Sequence, residues 1–113
     1  MVVRVKESDE SLNQLFRALA DATRRDILAR SLTETPSVSE LAAGYKMSFA
    51  AVQKHVAVLE RAGLVQKRAH GREQLVSTER ARLRRAGELL DRFELLWRQR
   101  MTQLDDVLLE GDG

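Results

Sequence analysis

Apolar residues recur along most of this chain at the three-and-four spacing of amphipathic helices. Leu12, Leu15, Phe16 and Leu19 mark one such face, and Ser8 or Asp9 ahead of it is a good N-cap. Asp21 is placed to cap a second helix, with Ile27, Leu28 and Leu32 turned inward. Pro36, the one proline, disfavours a helical Thr35, so residues 33–36 read as a loop. Ser37-Val38-Ser39-Glu40 forms a capping box, opening a short helix that buries Val38, Leu41 and Ala42. Gly44 is expected to stop that helix in a left-handed conformation. Ser48 then caps a helix running to about Ala62, with Val52, Val56 and Leu59 inward and Gly63 as its C-cap.

The pattern then changes to two short extended runs, Leu64 to Ala69 and Glu73 to Ser77. Between them, His70-Gly71-Arg72 suits a β-hairpin turn. A last helix is expected from about Thr78 to roughly Leu109. The expected fold is thus mainly α with a small β-hairpin, one domain over residues 8–109, with 1–7 and 110–113 as flexible ends. A helix of roughly 30 residues is about 45 Å long at 1.5 Å per residue. A compact 100-residue domain has a radius of gyration of only about 13 Å, so one copy cannot cover it. Yet Leu83, Ala86, Leu90, Phe93, Leu96, Trp97, Met101, Leu104, Val107 and Leu108 form a stripe along it, with Leu83, Leu90, Trp97 and Leu104 in heptad register. Leu90, Phe93, Trp97 and Leu104, with Leu12, Leu15 and Phe16 of the first helix, are expected to form a two-fold interface between copies. Asp105, Asp106, Glu110 and Asp112 keep the end of the helix soluble.

Composition narrows the function. The 113 residues suit one domain, and the absence of cysteine excludes disulfides and thiolate metal sites. Hydrophobic residues at 43% and charged residues at 32% are the balance of a globular chain. No apolar run approaches the ~20 residues that span a bilayer. Met1 to Glu7 is too short and too soon charged for a signal peptide, so a soluble cytoplasmic protein with no membrane partner is expected. There is no glycine-rich phosphate loop, HExxH motif or credible serine–histidine–acid set. Neither catalysis nor a cofactor is expected.

The net charge is only +2, but its excess lies in the middle third. Residues 44–74 carry Lys46, Lys54, Arg61, Lys67, Arg68 and Arg72 against Glu60 and Glu73 alone. Such a local basic segment suits a polyanion binder, although a solvated basic face would look the same.

A short helix, a glycine-bearing turn and a longer helix make a helix-turn-helix signature. The turn Gly44-Tyr45-Lys46-Met47 projects the first turn of the following helix outward, where it can enter a major groove about 12 Å wide. With Val52, Val56 and Leu59 inward, Phe49, Ala50, Gln53, Lys54 and Ala57 face the other side. Gln53 can pair with adenine, Lys54 with guanine or phosphate, Ala50 allows close approach, and Ser48 can donate to phosphate. The hairpin follows as a wing would, with Lys67, Arg68, His70 and Arg72 expected near its tip and available to phosphate or the minor groove. Duplex DNA is the expected partner. His55 reads as a residue that packs or bonds at the domain edge, His70 as a solvated turn residue and Tyr45 as packing. Arg24 and Arg25 open a helix, where the dipole disfavours cations, and either anchor phosphate or pair with carboxylates.

Longer stretches resemble a known family. Leu19-Ala20-Asp21-Ala22-Thr23-Arg24-Arg25-Asp26-Ile27-Leu28 is similar to the opening "LADPTRRxIL" of the ArsR/SmtB-type winged-helix repressors. Ser39-Glu40-Leu41-Ala42 and the run from Met47 to Val65 resemble their recognition-helix core, and Gly71-Arg72 matches the wing-tip "GR". The resemblance covers about residues 12–108. It implies a winged helix-turn-helix of α-α-α-α-β-β-α order and a homodimeric bacterial repressor, and two-fold symmetry would call for an inverted-repeat operator. Metal-sensing members carry a Cys-x-Cys pair where this chain has Ala42 and Gly44. Another family site uses histidines on the last helix, and no histidine follows His70. Neither site can be built, so no metal is expected, and the inducer is unknown. Ala22 stands for the usual proline, and Gln53 for a common serine. The competing reading is a dimeric winged-helix module whose basic wing meets an acidic protein surface.

Overall fold

The structure is a computed structural model and describes residues 8–111. The terminal residues 1–7 and 112–113, Asp112 included, lie outside the described residues. Seven elements follow in order: α1 (Asp9–Leu19), α2 (Ala22–Thr33), α3 (Val38–Gly44), α4 (Phe49–Arg61), β1 (Val65–His70), β2 (Glu73–Thr78) and α5 (Arg80–Gly111). The described residues divide into two units that part between Arg82 and Leu83. No helix among the described residues is long and apolar enough to cross a membrane.

Within the first unit the helix starts are set by the side chains that the sequence places there. Ser8, Asp21 and Ser48 each accept from the backbone N–H three residues on, at 3.1, 3.0 and 3.1 Å. The capping box is complete: the Ser37 hydroxyl accepts from the Glu40 N–H at 3.0 Å, and the Glu40 carboxylate accepts from the Ser37 N–H at 2.9 Å. The Ser37 backbone N–H first, and then the Ser37 hydroxyl, favour the ionised carboxylate and hold the Glu40 pKa below its ordinary value. At the end of α4 the chain makes a Schellman motif. Leu64 N–H donates to Leu59 O and Gly63 N–H to Glu60 O, both at 3.0 Å. Gly63 adopts φ +79° to do so.

The core of this unit is Leu15, Ile27, Leu41, Val52, Val56, Leu59, Leu64 and Val76, all fully buried. It draws on every helix from α1 to α4, on Leu64 just ahead of β1 and on β2. The hairpin pairs Val65 with Thr78 through to His70 with Glu73, leaving a two-residue turn at Gly71 and Arg72. Gly71 has φ +63°, and no non-glycine residue described has a positive φ. A positive φ at the first turn position alone is what a type II′ hairpin requires. Pro36 O accepts from Val76 N–H at 2.8 Å and Ser37 bridges Leu75, so the loop before α3 is bonded to β2.

Four expectations are corrected. Leu15 is fully buried within a single copy, so it belongs to the monomer core and not to a surface between copies. Leu32 is 50% exposed, while Ser31 is buried in its stead. The Ser31 hydroxyl donates to Ile27 O at 2.8 Å, so the turn can face the core without an unsatisfied polar group. Gly44 is not left-handed: the described positive-φ glycines are Gly63 and Gly71, and α3 ends as Tyr45 turns extended. A Cβ at 44 would lie 2.9 Å from Arg30 Nη1, the far end of a flexible side chain that can shift aside, so neither backbone conformation nor space demands glycine here. Finally, α5 runs past Leu109 to Gly111, since no proline interrupts it and Gly87 alone is too weak a breaker.

The second unit is the greater part of α5. Leu90, Phe93, Leu96, Trp97, Val107 and Leu108 are all more than half exposed, and Leu104 is 39% exposed. Its polar face carries an Arg98–Glu94 ion pair at 3.0 Å.

Candidate nucleic-acid interface

Phe49 opens α4 directly after the Ser48 cap, so the helix N-terminus and its first outward side chains face solvent together. Phe49, Ala50 and Lys54 are exposed and Gln53 is half-buried. This helix is locked at its angle by the turn before it. The Tyr45 hydroxyl donates to the Asp26 carboxylate on α2, and the Arg30 guanidinium lies 5.9 Å from the Tyr45 ring centre. Burial, then the Asp26 carboxylate, pushes the Tyr45 pKa up, so the phenol stays a donor. Tyr45 therefore does more than pack: it clamps the turn to α2.

A second tie holds the middle of α4. His55 Nδ1 lies 3.4 Å from Arg24 Nη1 and 3.9 Å from the Asp21 carboxylate. Asp21 has its pKa lowered, first by the Arg24 backbone N–H that it caps, and also by the Arg24 and His55 charges. As expected for His55, this is an edge contact.

The wing tip comes round to the same face. Val38, Ser39, Phe49, Gln53, Arg72, Glu73 and Gln74 line an open cleft of about 250 Å³, with Glu73 its one carboxylate. Gln53 and Arg72, singled out separately along the chain, thus border one groove. Arg68 and His70 share the hairpin face opposite to Lys67 and are exposed. Lys67 departs from expectation. It is paired with Val76, well back from the tip, with its side chain only 21% exposed and its ammonium 3.7 Å from Glu60 of α4. It shares the inward hairpin face with Val65 and fastens the wing to the helix. Lys46, Lys54, Arg61, Arg68 and Arg72 remain as the exposed cations of the basic segment.

Arg24 and Arg25 both donate to backbone carbonyls, partners that the sequence did not announce. Arg24 donates to Ala18 O and Arg17 O at 2.8 and 2.9 Å, and Arg25 donates to Leu19 O at 2.8 Å. Both neutralise the open carbonyls at the C-terminus of α1, where cations are favoured. The "TRR" of the sequence motif is thus a cap for the preceding helix. Sequence reasoning missed Arg82, which donates to Ala62 O at 3.0 Å and to Ser11 O and Oγ at 2.9 and 2.8 Å. It joins the end of α4 to the start of α1, and no spacing in the sequence announces it.

Among the described residues, no three His, Asp or Glu stand together as metal ligands. Ala42 and Gly44 both lie on α3 and offer no side-chain donor.

An α-α-α-α-β-β-α chain with an outward second helix and a wing beside it is a winged helix-turn-helix. No family model matches the chain. It is 34% identical over 103 residues to the HTH-type transcriptional regulator Rv2034 of Mycobacterium tuberculosis, covering 90% of this chain and 94% of that one. An ArsR-like transcriptional regulator from Rhodococcus sp. RHA1 superposes with TM-score 0.76 at 31% identity, covering 87% of this chain and 90% of that one. A Mycobacterium bovis structure, described as a homodimeric winged helix-turn-helix DNA-binding domain, shares the fold with TM-score 0.63 at 19% identity, covering 80% and 91%. The chain belongs to the ArsR family of winged helix-turn-helix transcriptional regulators.

Proposed function

We propose that this regulator is a cytoplasmic, non-catalytic homodimeric repressor that binds an inverted-repeat operator in duplex DNA. The observation that carries the reading is the cleft that Gln53 and Phe49 of α4 share with Arg72 of the wing. A helix in the major groove with a cation beside it on the backbone divides the work between base readout and phosphate anchoring. Ser48, Phe49, Ala50, Gln53 and Lys54 are the reading set, with Arg68, His70 and Arg72 on the wing. Lys67 is left out of it, because Glu60 already neutralises its charge.

The exposed stripe of α5 supports the dimer, since a contiguous apolar surface of that length is an interaction site. Leu90, Phe93, Trp97 and Leu104 form its seam, and Leu12 and Phe16 of α1, half-buried in one copy, are left available to a second. Homodimerisation of the Mycobacterium bovis domain favours the same assembly. Two copies would address half-sites about one helical turn, 34–36 Å, or a multiple of it apart.

Sequencing the genomic fragments retained by the purified protein, its own promoter included, tests the reading. An enriched inverted repeat, bound more weakly as salt rises, is expected. Retention of random duplex with no enriched site, alongside capture of an acidic protein, would favour the protein-interaction module instead.

A further inference from the structure

We propose that Phe49 is a base reader: its ring packs on the 5-methyl group of a thymine, one or two base pairs from the adenine taken by Gln53. The proposal rests on α4 being the recognition helix and adds which base the helix seeks. Among the described residues of the first unit, the exposed large apolar side chains are Leu32, Met47 and Phe49, so two of three flank the start of α4. Phe49 is 49% exposed in the cleft it shares with the buried Val38 and with Gln53, Ser39, Arg72, Glu73 and Gln74, a rim polar enough to repel an apolar ligand. A ring left half bare there has one apolar partner in a major groove, because thymine alone among the bases offers a methyl group.

The spacing fits. Phe49 and Gln53 stand four residues apart on one helix face, a rise of about 6 Å. Stacked base pairs rise about 3.4 Å each, so ring and amide reach pairs one or two steps apart. The glutamine amide matches adenine N6 and N7, and the ring matches the methyl of a neighbouring thymine. Ala50, beside Phe49 on the exposed turn, leaves the base edge unobstructed.

The test begins by selecting duplexes from a random library with the wild-type protein. Each thymine of the selected site is then replaced singly by deoxyuridine, which removes the methyl and keeps every hydrogen-bonding group. At one thymine per half-site, wild-type affinity should fall about fourfold, the worth of one buried carbon group. Phe49→Ala should be indifferent to that same replacement, and Phe49→Leu should keep part of the penalty. Indifference of the wild type to every uridine overturns the proposal without any variant being needed. An undiminished penalty in Phe49→Ala assigns the methyl to another residue and overturns it equally. Failure to select any duplex over random removes the DNA reading itself, and this inference with it.

Discussion

Leu59 on α4 and Leu108 on α5 are the same side chain on helices of one chain, yet one is fully buried and the other 68% exposed. The difference is one of neighbours. Residues 8–82 fold helices and a hairpin around a shared centre, so most of their apolar side chains find partners inside the unit. Beyond Leu83 there is a single helix, and a single helix cannot bury its own stripe. Hydrophobic periodicity is equally clear in both regions. Its meaning differs: in the first it specifies a core, and in the second it leaves an exposed stripe, which the proposed second copy would cover.

The largest effect should follow from attacking that surface. Trp97→Asp would place an unpaired carboxylate in the seam of both copies, where each large side chain contributes ~1.5–3 kcal/mol by burial. We expect a monomer in sedimentation at micromolar concentration and loss of cooperative operator binding. Normal dimerisation of this variant would break the comparison at its root. Leu59→Ala attacks the other region and should cost ~2–5 kcal/mol of stability. Its loss in melting temperature should persist across protein concentrations, whereas that of Trp97→Ala should vary with concentration, as dimer linkage requires.

Smaller effects sharpen the picture within the first unit. Arg24→Ala should lower thermal stability by ~1.5–3 kcal/mol, the worth of a hydrogen bond to a charged group, while leaving base preference unchanged. A changed operator preference would return Arg24 to the DNA-contacting set. Gln53→Ala should cost ~1–3 kcal/mol in specific binding with little change in melting. Arg72→Ala should instead weaken all duplexes alike and lower the salt slope by ~1. The least effect concerns acid and metal. The depressed pKa of Glu40 means that its capping contribution is complete above about 4.3, the ordinary glutamate value, and is lost as pH falls through the lower folded value. Glu40→Gln, which keeps the reach but not the charge, should flatten that part of an acid titration followed by circular dichroism. Zinc, cadmium or arsenite should leave operator binding unchanged in a gel-shift titration, and chelator-reversible release would reveal a carboxylate site.

How much was legible follows from how far each interaction reaches along the chain. Ser8, Asp21, Ser37 and Ser48 cap their helices through bonds three residues long, and the Gly63 stop is equally local. The hairpin needed only Gly71 between two extended runs. Such features depend on φ/ψ and nearest neighbours, so residue order determined them, and the motif around α4 carried the family with them. The tertiary structure alone decided the cations. Arg24 and Arg25 went to the carbonyls of α1, Lys67 to Glu60, and Arg82 to Ser11 and Ala62, 71 and 20 residues away. A long flexible cation binds whichever carbonyl or carboxylate the packing brings within about 3 Å, and one-dimensional spacing holds no record of that approach. The same limit hid Leu15 in the core and exposed Leu32, since both depend on what stands opposite each residue once the helices have docked.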